Sequence, residues 1–253
     1  MTQDYKRLIE EQVRGGAPFM DVLDEEGDLV HLLVLNDAEL RDIDLTGADM
    51  ISTDLIGADL TNARLVGAKM HGGNYYRSIF DGADLSFVDV HKARFSHGSF
   101  VNTNFFHSEA TRAEFPRANM QNTNFVEADI GSAFFFEVNL VAADFSYANC
   151  GGASFSCANL TGANFSHANI GLAFFDDADL SGVTLTGARI HSRSLQGAKN
   201  LDQVDAPWLI VAVNDEHVGT RDTRLDGEIA QRWLREQAGE GRFDYGALHQ
   251  AGQ

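Results

Sequence analysis

The feature that most constrains this chain is a five-residue period that runs unbroken from residue 40 to residue 195. Every position divisible by five in this stretch is uncharged and mostly large, and the position two residues earlier is usually Ala or another small residue. The residue directly before the large one is usually Asp or Asn. A fixed short period of this kind constrains the fold more strongly than any single predicted element.

Neither a long helix nor a flat strand accommodates this period. Five steps of about 100° would scatter the large side chains around a helix. In a flat strand, positions five apart point to opposite faces, so half of the large side chains would face water. The chain must therefore turn a corner in each unit, with one large and one small side chain pointing inward on each side. The period predicts an all-β solenoid with a filled interior.

The repeated units resemble those of a known family. Residues 48–52, 58–62 and 163–167 read ADMIS, ADLTN and ANFSH, and they are similar to the A(D/N)LXX signature of the pentapeptide repeat proteins. The resemblance extends over residues 38–199 and implies a right-handed quadrilateral parallel β-helix with four units per coil. The period alone does not distinguish four sides from three. Four units per coil give about eight coils, and a rod roughly 38 Å long at about 4.8 Å between adjacent strands.

The two ends of the chain lie outside the period. Residues 1–37 and 200–253 are expected to cap the solenoid, whose open ends would otherwise expose apolar side chains and unpaired amides. The N-terminal segment predicts a short helix over residues 3–14. It then predicts a hairpin with strands over residues 19–23 and 29–35.

The C-terminal segment predicts a strand over residues 208–213 and a helix over residues 226–238. The helix carries an apolar stripe that consists of Ile229, Trp233 and Leu234. One interpretation is that the stripe packs onto the last coil. The alternative is a homodimer formed through this region, because a C-terminal module joins two rods end to end in the quinolone-resistance branch of the family.

Charge and composition exclude several classes of function. The chain has 19 Lys and Arg against 37 Asp and Glu, a net charge of -18, which argues against direct binding to nucleic acid or to an anionic membrane. Its longest apolar runs fall far short of the ~18 residues that cross a bilayer. Two cysteines rule out a disulfide scaffold, and the N-terminus shows no leader pattern. We therefore expect a cytoplasmic protein.

The sequence shows no constellation of catalytic residues. It lacks a phosphate-binding loop, a dinucleotide fingerprint and a zinc-protease motif. Most carboxylates occupy the Asp/Asn position of the repeat, where they can bond to the backbone at a corner. His71 and His91 would stack about 4.8 Å apart, but two ligands without a third do not make a metal site. We expect no catalytic residue, no cofactor and no metal, and hence a protein that is not an enzyme.

With four units per coil, residues 20 apart share a column on the surface. One column is aromatic and titratable, which is typical of an interface. It consists of Phe87, His107, Glu127, Tyr147 and His167, with Phe106 beside it. A second column changes from basic to acidic along the rod and consists of Arg77, His97, Arg117, Glu137, Cys157 and Asp177.

Two hypotheses for function remain, and both require a protein partner. The resemblance implies a DNA-mimicking protein that binds a type II topoisomerase, DNA gyrase or topoisomerase IV, and protects it from an inhibitor or toxin. Residues 118–188 fit this hypothesis because they contain seven acids and no Lys or Arg. Its candidate contact residues are Asp144, Asp176 and Asp177. The alternative is an interaction scaffold, adaptor or regulator that uses the aromatic column and has no link to DNA topology.

Overall fold

The computed structural model describes residues 9–11, 22–23, 29–30, 35–191, 194–215 and 219–237. From Leu35 onward the chain winds into a β-helix whose adjacent coils pair in parallel. The pairing joins residues 20 apart, from Glu39 with Asp59 to Asp179 with Lys199. Four pentads therefore make one coil, as the family resemblance implies.

Each corner of a coil is a β-turn that follows the large inward side chain. The turn is closed by the backbone, as where the Ala48 amide donates to the Leu45 carbonyl at 3.0 Å. The second turn residue has a positive φ at every corner from Asp37 to Gly187, which is typical of a type II turn. Gly adopts this conformation without steric cost, so the backbone itself favours Gly at this position.

The Asp or Asn before each large residue supports the corner with hydrogen bonds. Asp129 Oδ1 accepts the amide of Gly131 at 2.9 Å. The Asn149 side-chain amide donates to Asp129 Oδ1 at 3.1 Å, and that of Asn169 donates to Asn149 Oδ1 at 3.0 Å. These side chains therefore link successive coils as well as closing corners, which confirms the predicted structural role of the Asp/Asn position.

The core is filled by the side chains at positions divisible by five, all of which are buried from Leu40 to Leu195. On two opposite sides of the coil these side chains are stacked phenylalanines, with ring centroids 4.6–5.1 Å apart. The two series meet edge to face, as where Phe145 contacts Phe155 at 5.6 Å. Both arrangements suit the quadrupole of an aromatic ring. They explain why Phe is the standard core residue in this half of the rod.

The N-terminal segment is described only in part. Residues 9–11 are helical, and the buried Ile9 joins the hydrophobic core. Strand β1 (Val22–Leu23) pairs antiparallel with β2 (Leu29–Val30). The remainder of the predicted helix and hairpin lies outside the described residues.

The last coils continue into a four-stranded sheet. In spatial order its strands are β3 (Asn169–Ile170), β4 (Arg189–His191), β5 (Trp208–Asp215) and β6 (Gly219–Asp226). The first three strands run parallel, and β6 returns antiparallel to β5. The sequence predicted a shorter β5 and no β6, because the mostly polar run GTRDTRLD lacks a strand-like apolar pattern.

Helix α1 (Gly227–Gln237) follows β6 and lies one residue inside each predicted end. Trp233 and Leu234 are completely buried in the same core as the solenoid, whereas Ile229 remains 43% exposed. Most of the apolar stripe therefore stabilises the cap within one chain. Dimerisation through this helix stays a prediction, and Ile229 is the stripe residue that is available for it. No helix in the described part of the chain is long and apolar enough to cross a bilayer.

Candidate protein-interaction surfaces

The structure brings the aromatic column together along one corner of the rod and divides it into two ring clusters. In the first, the Phe87 ring meets His107 at 5.4 Å and Phe106 at 5.6 Å, both edge to face. In the second, Tyr147 and His167 stack at 4.9 Å with nearly parallel rings. Glu127 is exposed between them, and its carbonyl oxygen lies 3.4 Å from His107 Nδ1.

The second cluster extends onto strand β5. The Trp208 ring meets His167 at 5.7 Å, and the Arg224 guanidinium lies 4.2 Å from the centre of the Trp208 ring. Gly187 continues the column at this point, and a Cβ atom there would lie 2.7 Å from both the His167 and the Trp208 rings. Sequence reasoning missed Trp208 because it follows the end of the five-residue period.

The core of the solenoid does not require these rings. Phe87 and Tyr147 are 53% and 60% exposed, and their φ angles are 59° and 61°. Ser52 and Ser132 occupy the equivalent turn position at a φ of 57°. A left-handed backbone costs a non-glycine residue about 1–2 kcal/mol, so stability alone favours a glycine here. Exposed aromatic side chains are enriched in protein interfaces.

A shallow groove of about 530 Å³ runs beside the first ring cluster. Besides Phe87 and His107 it is lined by three carboxylates, those of Glu109, Glu127 and Asp129. The surface is therefore both aromatic and negatively charged. Such a surface complements a cationic side chain, which can stack on a ring and pair with a carboxylate.

The three acidic candidates do not share one surface. Asp144 is half-buried, and its Oδ1 accepts the amide of Ser146 at 2.8 Å, so it closes a corner. Asp176 and Asp177 are exposed at a different corner, and Asp177 pairs with Lys199 at 3.1 Å. Of the three, only Asp176 and Asp177 are available together as a contact surface.

His71 and His91, which are one coil apart, have separate neighbours. His71 Nδ1 lies 3.0 Å from Asp89 Oδ2, and His91 Nδ1 lies 2.6 Å from Thr111 Oγ1. Within the described ranges, no group of three or more His, Cys, Asp or Glu side chains is arranged to hold a metal ion.

A second exposed apolar surface was not predicted. It lies on a different side of the rod from the aromatic column. Its members are exposed by 40–63% and consist of Phe134, Phe136, Leu172 and Phe174. The signal was present in the sequence, because Phe134 and Phe174 occupy the position that Asp or Asn usually fills.

Comparison with known proteins identifies the repeat. The family model for pentapeptide repeats matches eight copies, within residues 35–72, 99–135, 133–171 and 158–197. These ranges cover more than half of the chain. Among curated proteins, no sequence match is found.

Solved structures of other repeat proteins are similar to this chain. One is HetL, a pentapeptide repeat protein involved in heterocyst differentiation regulation from the cyanobacterium Nostoc sp. strain PCC 7120. It has 23% identity and a TM-score of 0.42, over 68% of this chain and 85% of HetL. Another is full-length QnrB1, a plasmid-mediated fluoroquinolone resistance protein, with 17% identity and a TM-score of 0.39 over 81% of this chain and 97% of QnrB1. By its matched repeats, this chain belongs to the pentapeptide repeat family and has an all-β fold, a right-handed quadrilateral parallel β-helix.

Proposed function

We propose that this protein is a non-catalytic rod that binds a protein partner through the aromatic column. The proposal depends on one observation, that large aromatic rings are exposed at turn positions whose positive φ favours Gly. The interior of the solenoid is filled by buried side chains, so ligand recognition has to use the outer surface. The proposed setting is the cytoplasm.

The chemistry of the groove indicates what the partner presents. Glu109, Glu127 and Asp129 offer carboxylates, and Phe87 offers a ring within the same groove. An Arg side chain suits this combination best because its planar guanidinium stacks on rings and forms paired hydrogen bonds with carboxylates. We therefore propose that the partner inserts an Arg-containing segment here, with apolar neighbours that cover Tyr147 and Trp208.

The double substitution Phe87→Ser and Tyr147→Ser should abolish capture of the partner. Serine already occupies this turn position at residues 52 and 132, so we expect the free energy of unfolding to change by less than about 1 kcal/mol. The measurement is affinity capture from the native cell with chemical crosslinking, together with thermal unfolding of the purified variant. The matched control is Asn102→Ser with Asn122→Ser, at the same turn position of another corner, and it should retain capture.

Two results would contradict this proposal. Retained capture by the aromatic double variant would mean that the column is not the contact surface. A loss of stability as large as the loss of capture would mean that the rings support the fold instead.

A second candidate function is DNA mimicry toward a type II topoisomerase, and charge density favours it. The seven acids of residues 118–188 fall within about 3.5 coils, or about 17 Å of the rod. This is one negative charge per about 2.4 Å, against one per about 1.7 Å in duplex DNA. The mimicry would be confined to this half of the rod, since the first half carries most of the solenoid's cations.

The charge reversal Asp176→Lys with Asp177→Lys should weaken binding to DNA gyrase by at least about ten-fold if the rod imitates DNA. Binding of the unaltered chain should then fall steeply with salt and compete with duplex DNA, as measured by gyrase supercoiling and anisotropy assays. Glu39→Lys with Asp42→Lys makes the same change of net charge at the other end of the rod and should have little effect. The absence of any salt-dependent effect on supercoiling would reject this candidate.

A further inference from the structure

The Lys and Arg side chains of the solenoid differ in whether a carboxylate pairs with them. Among its ten described Lys and Arg residues, six form ion pairs with carboxylates, and these are Arg41, Arg64, Lys69, Arg117, Arg189 and Lys199. Arg77 instead lies 5.0 Å from the centre of the Tyr76 ring. For the other three, no described residue supplies an ion pair within 4.0 Å, and these are Lys92, Arg94 and Arg112. In a protein with a net charge of -18, cations without a carboxylate partner need an explanation.

These three cations surround one groove of about 440 Å³, which we call the basic groove. Its lining consists of Lys92, Arg94, Arg112, Glu114, Ser132 and Phe134. Three cations against one carboxylate make it locally positive. Phe134 lies at one end and is 51% exposed, so the groove combines charge with an apolar contact.

The basic groove also departs from the repeat. Arg94 and Phe134 occupy the position where Asp or Asn usually closes a corner with its side chain. Neither side chain can accept the hydrogen bond that Asp129 accepts from Gly131. These two departures and the three cations without a described ion pair lie in one groove, and together they provide the charge and the apolar contact that a ligand could use.

We propose that the basic groove binds an acidic segment of a protein partner in the polyproline II conformation, in which a carboxylate lies three residues from an apolar side chain. Arg94 and Phe134 are two coils apart, or about 9.6 Å along the rod. A polyproline II segment advances about 3.1 Å per residue with three residues per turn, so side chains three residues apart lie on the same face and about 9.3 Å apart. When a carboxylate of the segment binds Lys92, Arg94 and Arg112, the residue three positions later in the segment therefore lies over Phe134.

The column that holds Arg94 and Phe134 continues along the rod with a further exposed apolar side chain. Phe174 lies two coils beyond Phe134, with the small Ser154 between them, and Leu172 lies beside Phe174. Phe174 and Leu172 are 55% and 63% exposed. The segment that fits best therefore has a second apolar residue another three positions on. This surface is separate from the aromatic column, so the inference does not depend on the proposed function.

The test uses the full chain and synthetic peptides that carry an uncharged fluorophore. The probe has two adjacent acidic residues, then Phe three positions on and Leu three positions after that, with Ser and Gly elsewhere. Binding is measured by fluorescence anisotropy, and we expect it to weaken as salt is raised. A peptide with Gln and Asn in place of the acids should bind at least about ten-fold more weakly. A peptide with the Phe next to the acids should also lose affinity.

Variants of the protein locate the binding. Lys92→Glu with Arg94→Glu should weaken binding by at least about ten-fold, whereas Arg64→Glu with Lys69→Glu makes the same change of net charge on other sides and should have little effect. Phe134→Ser should weaken binding several-fold, and Phe87→Ser should not.

Three results would overturn the proposal. The first is no binding of the acidic peptide at about 1 mM. The second is an equal effect of the two charge-reversal pairs, which would indicate long-range charge alone. The third is displacement of the peptide by inorganic pyrophosphate together with no effect of Phe134→Ser, which would make the groove a general anion site.

Discussion

Replacing Phe135 by Ala should lower the free energy of unfolding by about 4 kcal/mol, whereas Phe134→Ala and Phe136→Ala should each change it by less than about 1 kcal/mol. The three phenylalanines are adjacent in the chain, so a difference between their Ala variants reports whether each side chain points into the core or outward. Phe135 is fully buried, and its neighbours are exposed by 51% and 40%. Its ring stacks on Phe115 at 5.1 Å and on Phe155 at 5.0 Å. Its removal leaves a cavity that a filled β-helix cannot close by collapse.

Urea denaturation followed by far-UV circular dichroism measures this effect. Because each coil contacts only its neighbours, the variant could unfold in two steps, and the slope of the transition has to be compared as well as its midpoint. Phe135→Leu is the control for volume and should cost less than about 1.5 kcal/mol. Equal losses for Phe134→Ala and Phe135→Ala would show that the inward register is wrong.

The register was predictable because one local rule is repeated in every unit. The large residue, the small residue and the Asp or Asn before the large one each have a distinct task in the pentad. Asp129, for example, closes its own corner and also accepts from Asn149 one coil on. When local hydrogen bonds and packing between coils favour the same conformation, the pattern of residues is enough to predict both the direction of side chains and their stacking.

The surfaces were only partly predictable. Stacking by 20 residues located the aromatic column, because Phe87 and Tyr147 are unusual where small residues suffice. The basic groove was missed because the Asp/Asn position was interpreted as structural throughout. Arg94 and Phe134 break that rule, and the break is visible in the sequence. Their exposure and the absence of ion pairs for Arg94 among described residues needed the structure.

The end of the period limited prediction at the C-terminus. Asn200 adopts a left-handed conformation with a φ of 60°, and the pairing then shifts by one residue so that Thr184 meets Asp205. This one extra residue ends the 20-residue spacing from which the earlier contacts between coils were predicted. The stripe on α1 had two interpretations for the same reason, since apolar spacing on a helix does not distinguish a cap from a dimer contact. Burial of Trp233 and Leu234 distinguishes them for these two residues.

Cys157 should react readily with a thiol reagent, and Cys150 should react at least about a thousand-fold more slowly. Both thiols are free, but Cys157 is exposed and Cys150 is fully buried in the core. Burial, with a smaller contribution from the charge of Asp129, raises the pKa of the Cys150 thiol, and the thiolate is the reactive form. Modification of Cys150 therefore requires the coil around it to open.

The variant Cys157→Ser isolates the slow reaction, which can be followed by the colour released from a disulfide reagent or by intact mass. Its rate reports how often the middle coils open. Adding Phe135→Ala should accelerate it, because removal of the stacked ring weakens the coil adjacent to that of Cys150. Adding Phe134→Ala should leave the rate unchanged, since that ring lies outside the core. Equal reactivity of the two thiols, or a disulfide between them after mild oxidation, would contradict the inward position of Cys150.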